Sequence, residues 1–207
     1  ITEEPDYNSF KPQSNIVGAY LWRKHKTTFP LKTYKKLDSD PMIALLNPLS
    51  KVGEDEVSII QYIVRPASRK WRRQGVKMVR DIKKGEKFED VAKRNYILKF
   101  FKELFKQLTP KKKNEQGMEP KYQMTQMEEE MIKNMEEKLS RGGMEATMRI
   151  VSSANNKEKA VLNLENIINA FSQYNLYRYG NTLGAAVPKR PNALIRDYIY
   201  RGMRENH

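Results

Sequence analysis

The chain lacks the residues on which several classes of functional site depend. None of its 207 residues is cysteine, so disulfide bonds and thiolate metal sites are excluded, which fits a reducing cytoplasm. The two histidines, His25 and His207, lie far apart in the sequence and have no acidic partner at motif spacing. The ten glycines never give the close spacing, followed by Lys and Ser or Thr, that a phosphate-binding loop requires. The sequence therefore predicts no catalytic activity in this segment, no bound cofactor and no metal site.

Long apolar runs are also missing. No window approaches the roughly 18 consecutive apolar residues that a transmembrane helix needs, and the first residues do not form a signal peptide. The apolar fraction is 39% and the charged fraction is 31%, so we expect one folded domain with a sizeable core and some solvated linker. Because the chain starts at Ile1 instead of Met, we expect a segment of a longer protein, with any membrane anchor or motor outside it.

The net charge of +14 is concentrated in one region. Between Arg69 and Lys113 there are 17 basic residues against five acidic ones, a balance of +12, whereas Glu115 to Glu145 carries a balance of −4. A balance of +12 over this length is more than solubility requires. We interpret it as a surface feature that can meet DNA, acidic lipid or an acidic protein face.

Two strand-then-helix units indicate the fold class. A β-rich run, Val57–Val64, stops at Arg65-Pro66 and passes through a polar turn into an amphipathic helix that opens near Trp71. A second strand, Met144–Ala154, runs into the helical pattern Lys157–Asn175, and Ile16–His25 is a further predicted strand. The sequence therefore predicts an α+β fold: a small mixed or antiparallel sheet with helices on one face, in a ferredoxin-like or split strand–helix arrangement with a charged helical insertion.

The expected domain organisation follows from the composition along the chain. Residues 1–15 are predicted to be an extended lead-in, and residues 16–176 a single α+β domain with a charged insertion at about 83–124. Residues 177–207 are predicted to form a loop rich in Tyr, Gly and Pro and a short C-terminal helix, which leads to a downstream domain.

Local signals predict where several helices begin and end. Asp38 or Asp40 can cap a helix that has Pro41 at its first position, and Pro48 is expected to kink that helix or end it early. In Thr125–Arg141, Thr125 and Glu128 form a capping box. The apolar residues of this second helix are interpreted as a buried stripe in preference to an adaptable binding groove; they are Met127, Met131, Ile132, Met135 and Leu139.

The start of the basic region supplies the candidate binding residues. Eight side chains are predicted to contact a nucleic acid or another anionic surface: Arg69, Lys70, Arg72, Arg73, Lys77, Arg80, Lys83 and Lys84. Trp71 lies among them and has two interpretations. Either its indole stacks on a base, or it packs the helix onto the sheet while the arginines are solvated. The packing interpretation is favoured, because Trp71 falls where the helix first meets the strand.

An aromatic, lysine-rich segment follows. Phe88–Gln107 has helical spacing, and within it Tyr96–Phe105 has one aromatic face and one lysine-rich face. Either this helix lies on a membrane surface with its lysines facing anionic lipid, or it packs within the fold with a solvated lysine face. Packing within the fold is the favoured interpretation.

The order of turn and packing residues is similar to that of a known family. The residues that carry the similarity are Thr33-Tyr34, Asp40-Pro41, Gln61, Arg65-Pro66, Trp71, Glu136–Lys138 and the run Ala170–Asn175. From about Phe29 to Leu183 the chain resembles the region preceding the motor domain in bacterial type IV secretion and conjugative coupling-protein-like ATPases, members of the FtsK/HerA superfamily. None of these residues is a catalytic signature.

The resemblance implies a place for the domain in a larger machine. In that family, transmembrane helices lie upstream and a nucleotide-binding motor lies downstream, so the segment would be a membrane-proximal accessory domain at the cytoplasmic face of the membrane. Its implied partners are DNA or an anionic membrane surface, its own motor domain, and further copies of itself in a hexamer.

Three functions are consistent with the sequence. The first is a non-catalytic accessory domain of a membrane-associated type IV secretion or DNA-transfer ATPase, acting in assembly or substrate contact. The second is a stand-alone module that binds nucleic acid without sequence specificity. The third, an enzyme acting on acidic or phosphorylated substrates, is the weakest, because no set of acid, base and nucleophile is visible.

Overall fold

A computed structural model describes residues 10–11, 13–37, 39–93, 123–177 and 180–204. The chain divides into two compact units: Ile1–Pro66 with Met144–His207, and Ala67–Gly143. The predicted charged insertion, about 83–124, belongs to the second unit. The aromatic segment Tyr96–Phe105 lies outside the described residues.

The first unit contains a four-stranded antiparallel sheet. Its strands are β1 (Asn15–Arg23), β2 (Val57–Pro66), β3 (Met144–Ala154) and β4 (Leu183–Ala186), in the order β2-β3-β1-β4. Every neighbouring pair is antiparallel, so β1 runs parallel to β2, and β3 runs parallel to β4, with one strand between the members of each pair. This is the ferredoxin-like arrangement. The predicted α+β class with a small antiparallel sheet is confirmed.

The helices are short to medium in length. Described in chain order, they are α1 (Pro41–Ser50), α2 (Arg69–Lys83), α3 (Phe88–Lys93), α4 (Gln126–Ser140), α5 (Lys157–Ala170) and α6 (Asn192–Ile199). Single turns of 3₁₀ helix occur at Tyr34–Lys36 and Phe171–Tyr174. The second of these turns replaces the last part of the helix that was predicted to continue to Asn175.

The beginning of α1 matches its sequence signals. The carboxylate of Asp40 accepts a hydrogen bond from the amide of Met42 at 2.8 Å, and Pro41 occupies the first helical position. The helix continues two residues beyond Pro48, so the predicted early end does not occur. Pro48 has no amide hydrogen to donate to the carbonyl of Ala44, so the last turn lacks one helical hydrogen bond, and the amide of Lys51 closes that turn on the carbonyl of Pro48 at 3.4 Å.

The capping box of α4 is also confirmed. The amide of Thr125 donates to the carboxylate of Glu128 at 2.8 Å, and the amide of Glu128 donates to the Thr125 hydroxyl at 3.4 Å. The interpretation of its apolar stripe as core holds for four of the five residues: Met131, Ile132, Met135 and Leu139 are buried. Met127 is exposed, one helical turn before the stripe begins.

The core of the first unit lies on both faces of the sheet. On one face, Ala19, Leu21 and Ile150 pack with side chains of α1 and α5: Leu45, Leu164 and Ile167. On the other face, Tyr20 and Val151 pack with Leu194 and Tyr198 of α6. The two longer helices of this unit therefore share one face, as predicted, and the shorter α6 covers the opposite one. Each large apolar side chain buried in this way contributes about 1.5–3 kcal/mol.

The beginning of β4 is fixed by one buried amide side chain. Asn181 donates from Nδ2 to the carbonyls of His25 and Lys26 at 3.1 and 3.0 Å, and its Oδ1 accepts from the amide of His25 at 3.0 Å. These bonds hold the approach to β4 beside the end of β1. Residues 177–207 were predicted to be a loop followed by a helix, and the short strand β4 within them is a correction to that prediction.

Candidate nucleic-acid interface

The eight predicted binding residues come together on α2 and at its C-terminal cap. Arg69 to Lys83 span the helix, Lys84 is its C-cap, and all eight side chains are exposed. At 3.6 residues per turn, the eight positions fall within an arc of about 160° around the helix axis. The structure thus places every one of these residues on a single surface, which we call the basic face of α2.

The opposite side of the same helix is buried in the second unit. Gly75, Met78, Val79, Asp81 and Ile82 are buried there, on the side of α2 away from the basic face. Helices α3 and α4 pack against α2 within this unit. Because the apolar side chains face the core, the basic residues have no alternative to the solvent side.

Lys83 of the basic face has an acidic neighbour on α4. The ammonium group of Lys83 lies 2.5 Å from the carboxylate of Glu136 on α4, and both side chains are about half exposed. A pair this exposed is worth at most about 1 kcal/mol, and salt screens it further. This pair therefore does not fix Lys83 firmly in place.

Trp71 is partly buried and contacts Gly143. A Cβ atom placed on Gly143 would lie only 2.6 Å from Cζ3 of the indole, so the ring fills the space that glycine leaves. The indole therefore packs within the second unit, while the choice between packing onto the sheet and stacking on a base stays a prediction.

A second polar cluster, not predicted from the sequence, lies on the α6 face of the sheet in the first unit. Arg149 of β3 is fully buried, and its guanidinium donates to Oε1 of Gln61 at 2.9 Å and to the backbone carbonyls of Asp197 and Gly202. The Nε atom of Arg149 has no hydrogen-bond partner. The hydroxyl of Tyr20 donates to the carboxylate of Asp197 at 2.7 Å.

The same cluster holds the residues that follow α6. The guanidinium of Arg204 lies over the ring of Tyr20, 4.5 Å from its centroid, and that of Arg149 lies 5.7 Å from it. The hydroxyl of Thr147 donates to the carbonyl of Arg204 at 3.0 Å and accepts from its amide at 3.1 Å. Arg149 therefore acts as a C-terminal cap that ties α6 and the next few residues to β3.

The electrostatics of this cluster favour a structural role. Burial, followed by the hydrogen bond to Asp197, raises the pKa of Tyr20, so the phenol stays protonated at neutral pH. Burial lowers the pKa of Arg149, yet a guanidinium remains charged in proteins. Tyr20 and Arg149 therefore keep their protonation states at neutral pH.

The described part of the chain shows no other recognisable chemical site. Among those residues, no group of three His, Cys, Asp or Glu side chains is placed to hold a metal ion. The helices within the described ranges include none that is both long enough and apolar enough to cross a bilayer.

Comparison with protein families gives one match. A family model described as "Domain of unknown function (DUF8128)" matches residues 1–200. The chain belongs to the DUF8128 family. The DUF8128 match extends over both compact units, so the ferredoxin-like sheet and the helical insertion are covered by one family model. No curated protein and no solved structure matches the chain.

Proposed function

We propose that this chain is a non-catalytic accessory domain that contacts the backbone of a nucleic acid through the basic face of α2. The observation that carries the proposal is the gathering of eight Lys and Arg side chains on one exposed side of a helix whose other side is buried. Contacts from such side chains to phosphates give affinity without sequence specificity. A helix of 15 residues is about 22 Å long, the length over which one DNA strand presents about six phosphates.

The burial of α2 favours a nucleic acid over a membrane surface. A helix that binds in the bilayer interface inserts an apolar face between the lipid headgroups. In α2 the apolar side chains Met78, Val79 and Ile82 are buried within the protein, and Val76 is exposed between the basic residues. Contact with lipid would therefore rest on charge alone.

The sequence resemblance supplies the larger context of the proposal. It makes the parent protein a membrane-associated type IV secretion or DNA-transfer ATPase, in which this domain acts in assembly or contacts the transferred substrate. The alternative is a stand-alone nucleic-acid-binding module. The parent gene distinguishes them: apolar spans of about 20 residues upstream and a GxxxxGK[ST] motif downstream support the ATPase, and the absence of both supports the module.

The test is fluorescence anisotropy with single- and double-stranded oligonucleotides across a salt series. If the seven basic side chains outside the Lys83 pair each displace one counterion from duplex DNA, the slope of log affinity against log salt is about −6. The variant in which Arg72, Arg73, Lys77 and Arg80 are changed to Glu should lose more than about tenfold in affinity, with the slope falling to about −3.

A control variant with the same change in charge makes the result specific. Four exposed basic residues of the first unit serve for this purpose: Lys35, Lys51, Lys189 and Arg190, all changed to Glu. The control should keep most of the affinity. Equal losses in the two variants would mean that net charge, not the basic face of α2, governs binding. Binding to vesicles of anionic lipid without binding to either oligonucleotide would contradict the proposal and favour a membrane surface.

A further inference from the structure

The basic face of α2 is divided lengthwise into three rows of exposed side chains. At about 100° per residue, the middle row spans an arc of about 60° around the helix axis. It contains arginines and a valine: Arg69, Arg73, Val76 and Arg80. One flank holds Lys70, Lys77 and Lys84, and the other holds Arg72 and Lys83. The two flanks lie about 130° apart around the axis, on either side of the middle row.

The residue types differ between the rows. Every charged side chain of the middle row is an arginine, whereas the longer flank consists of lysines alone. The planar guanidinium of arginine donates two parallel hydrogen bonds to O6 and N7 of guanine, which is the commonest specific contact in the major groove. The ammonium group of lysine acts as a point charge, which suits a phosphate. The middle row is therefore suited to base edges, and the flanks are suited to the phosphate backbone.

Val76 is the apolar member of the middle row, and it is 42% exposed. Along the helix axis it lies about 4.5 Å from Arg73 and about 6 Å from Arg80. Contacts with phosphates alone give no reason for an apolar side chain at the centre of a basic surface. The C5-methyl group of thymine, which projects into the major groove, is an apolar partner for such a side chain.

We propose that α2 lies in the major groove of B-form duplex DNA, with its middle row against the base edges and its two flanks against the phosphates of the two strands. This inference rests on the nucleic-acid binding proposed for α2 and names the ligand. An α-helix with its side chains is about 10–12 Å across, and the major groove is about 12 Å wide. Because a phosphate backbone borders the groove on each side, each cationic flank has a partner.

Two other nucleic acids fit the three rows less well. The major groove of duplex RNA is deep and narrow, so that side chains cannot read the bases within it. A single strand has one phosphate backbone, so only one flank at a time would meet phosphates. Duplex DNA is the ligand that engages all three rows together.

The position of α4 indicates which part of α2 enters the groove most deeply. Glu136 of α4 lies beside Lys83, in the last turn of α2. A carboxylate at this end repels a phosphate, whereas the positive end of the helix dipole lies at the opposite end of α2. We therefore expect Arg69 and Arg73, in the first part of the helix, to make the closest contacts with base edges.

Fluorescence anisotropy of the full chain with chemically modified duplexes tests this placement. The probe is a duplex of about 16 base pairs, with alternating guanine and thymine on one strand, so that both bases are within reach in any register. Replacing guanine by 7-deazaguanine removes the N7 acceptor and should weaken binding by about fivefold or more. Replacing thymine by uracil removes the methyl group and should weaken binding by about twofold to fourfold. Duplex RNA of the same sequence should bind at least about fivefold more weakly than the unmodified DNA.

Two neighbouring arginines supply a matched pair of variants. Arg73→Lys, in the middle row, keeps the charge but loses the planar fork of donors, so the loss of affinity caused by 7-deazaguanine should shrink. Arg72→Lys makes the same change in a flank and should leave the loss caused by 7-deazaguanine unchanged. Val76→Ala should abolish the preference for thymine over uracil and leave the slope of log affinity against log salt unchanged.

The outcomes distinguish this inference from the binding on which it rests. Equal affinities for unmodified DNA, the two modified duplexes and duplex RNA would overturn the placement in the major groove and leave the backbone contact by α2 standing. A chain that binds none of these duplexes would overturn both proposals. Equal effects of Arg72→Lys and Arg73→Lys on the response to 7-deazaguanine would also contradict the inference, because the middle row and the flank would then make the same contacts.

Discussion

Replacing Arg149 by methionine removes the donors of the buried cluster while keeping an extended side chain of similar length. The change removes three hydrogen bonds, those to Oε1 of Gln61 and to the carbonyls of Asp197 and Gly202; the Asp197 carbonyl still accepts from the amide of Gly202 at 2.8 Å. Each unsatisfied buried acceptor costs about 1–3 kcal/mol. Relief of the desolvation penalty of a buried guanidinium offsets part of that cost. We expect the free energy of unfolding to fall by about 3 kcal/mol, which a domain stable by about 5–15 kcal/mol survives.

The loss of stability should be greatest in α6 and the residues that follow it. Two of the three acceptors belong to the end of α6 and the residues after it, so this segment loses two of its hydrogen bonds to β3 and keeps those between Thr147 and Arg204. Hydrogen exchange should therefore accelerate most at the amides of residues 192–204, with the central strands β1 and β3 retaining most of their protection. Urea unfolding followed by circular dichroism gives the total change in stability.

Two further variants define the contribution of the guanidinium. Tyr20→Phe removes only the hydroxyl that donates to Asp197 and should cost about 1 kcal/mol. Arg149→Lys keeps the charge but loses the planar fork of donors, so its stability should lie between those of the natural chain and Arg149→Met. A methionine variant as stable as the natural chain, or more stable, with unchanged exchange in residues 192–204, would refute the view that Arg149 stabilises this attachment.

Two other predictions concern packing and pH. Gly18→Ala should destabilise the first unit by about 1–3 kcal/mol, because the new Cβ would lie 2.8 Å from both the Ile150 carbonyl oxygen and a methyl group of Leu194 in α6. Thermal unfolding measures the loss, and Gly142→Ala is the control, because a Cβ at that position would meet open space. The side chain of Glu56 is only 6% exposed. The hydrogen bond from Lys159 lowers the pKa of the Glu56 carboxyl in the folded state. A carboxyl whose folded pKa is below its unfolded value, about 4.3, stabilises the fold above that value and loses this contribution as the pH falls through the folded pKa. The natural chain should therefore be more stable than Glu56→Gln at pH 6 and converge with it toward pH 3 in urea unfolding; parallel pH profiles would count against this account.

The elements that could be predicted from the sequence are those with strong local signals. β2 and β3 are long runs of β-branched and apolar residues, and α4 carries a capping box, so both their type and their limits follow from nearby residues. The basic face of α2 is predictable for the same reason, since helical spacing alone places its eight side chains on one side.

The elements that could not be predicted depend on residues far away in the sequence. The strand β4 consists of two alanines, a glycine and a leucine, a composition without strand preference, and it forms beside β1 with the help of the buried amide of Asn181. Arg149 lies in an otherwise strand-like segment, and only the presence of α6 on its face makes it a buried cap. The one signal in the sequence is that Arg149 is a charged residue within an apolar strand. It directly precedes the core residue Ile150 and therefore points to the opposite face of the sheet.

The net charge is distributed unequally between the two units. The second unit has 21 basic and 12 acidic residues, a net charge of +9 in 77 residues, whereas the first unit has 18 and 13, a net charge of +5 in 130 residues. Attraction to a polyanion is therefore strongest at the second unit, which contains α2. The ferredoxin-like order also explains how the sheet and a separate basic unit can exist in one chain. The connection between β2 and β3 is a short hairpin in the simplest form of this fold, and here it has become a helical unit without disturbing the pairing of the two strands.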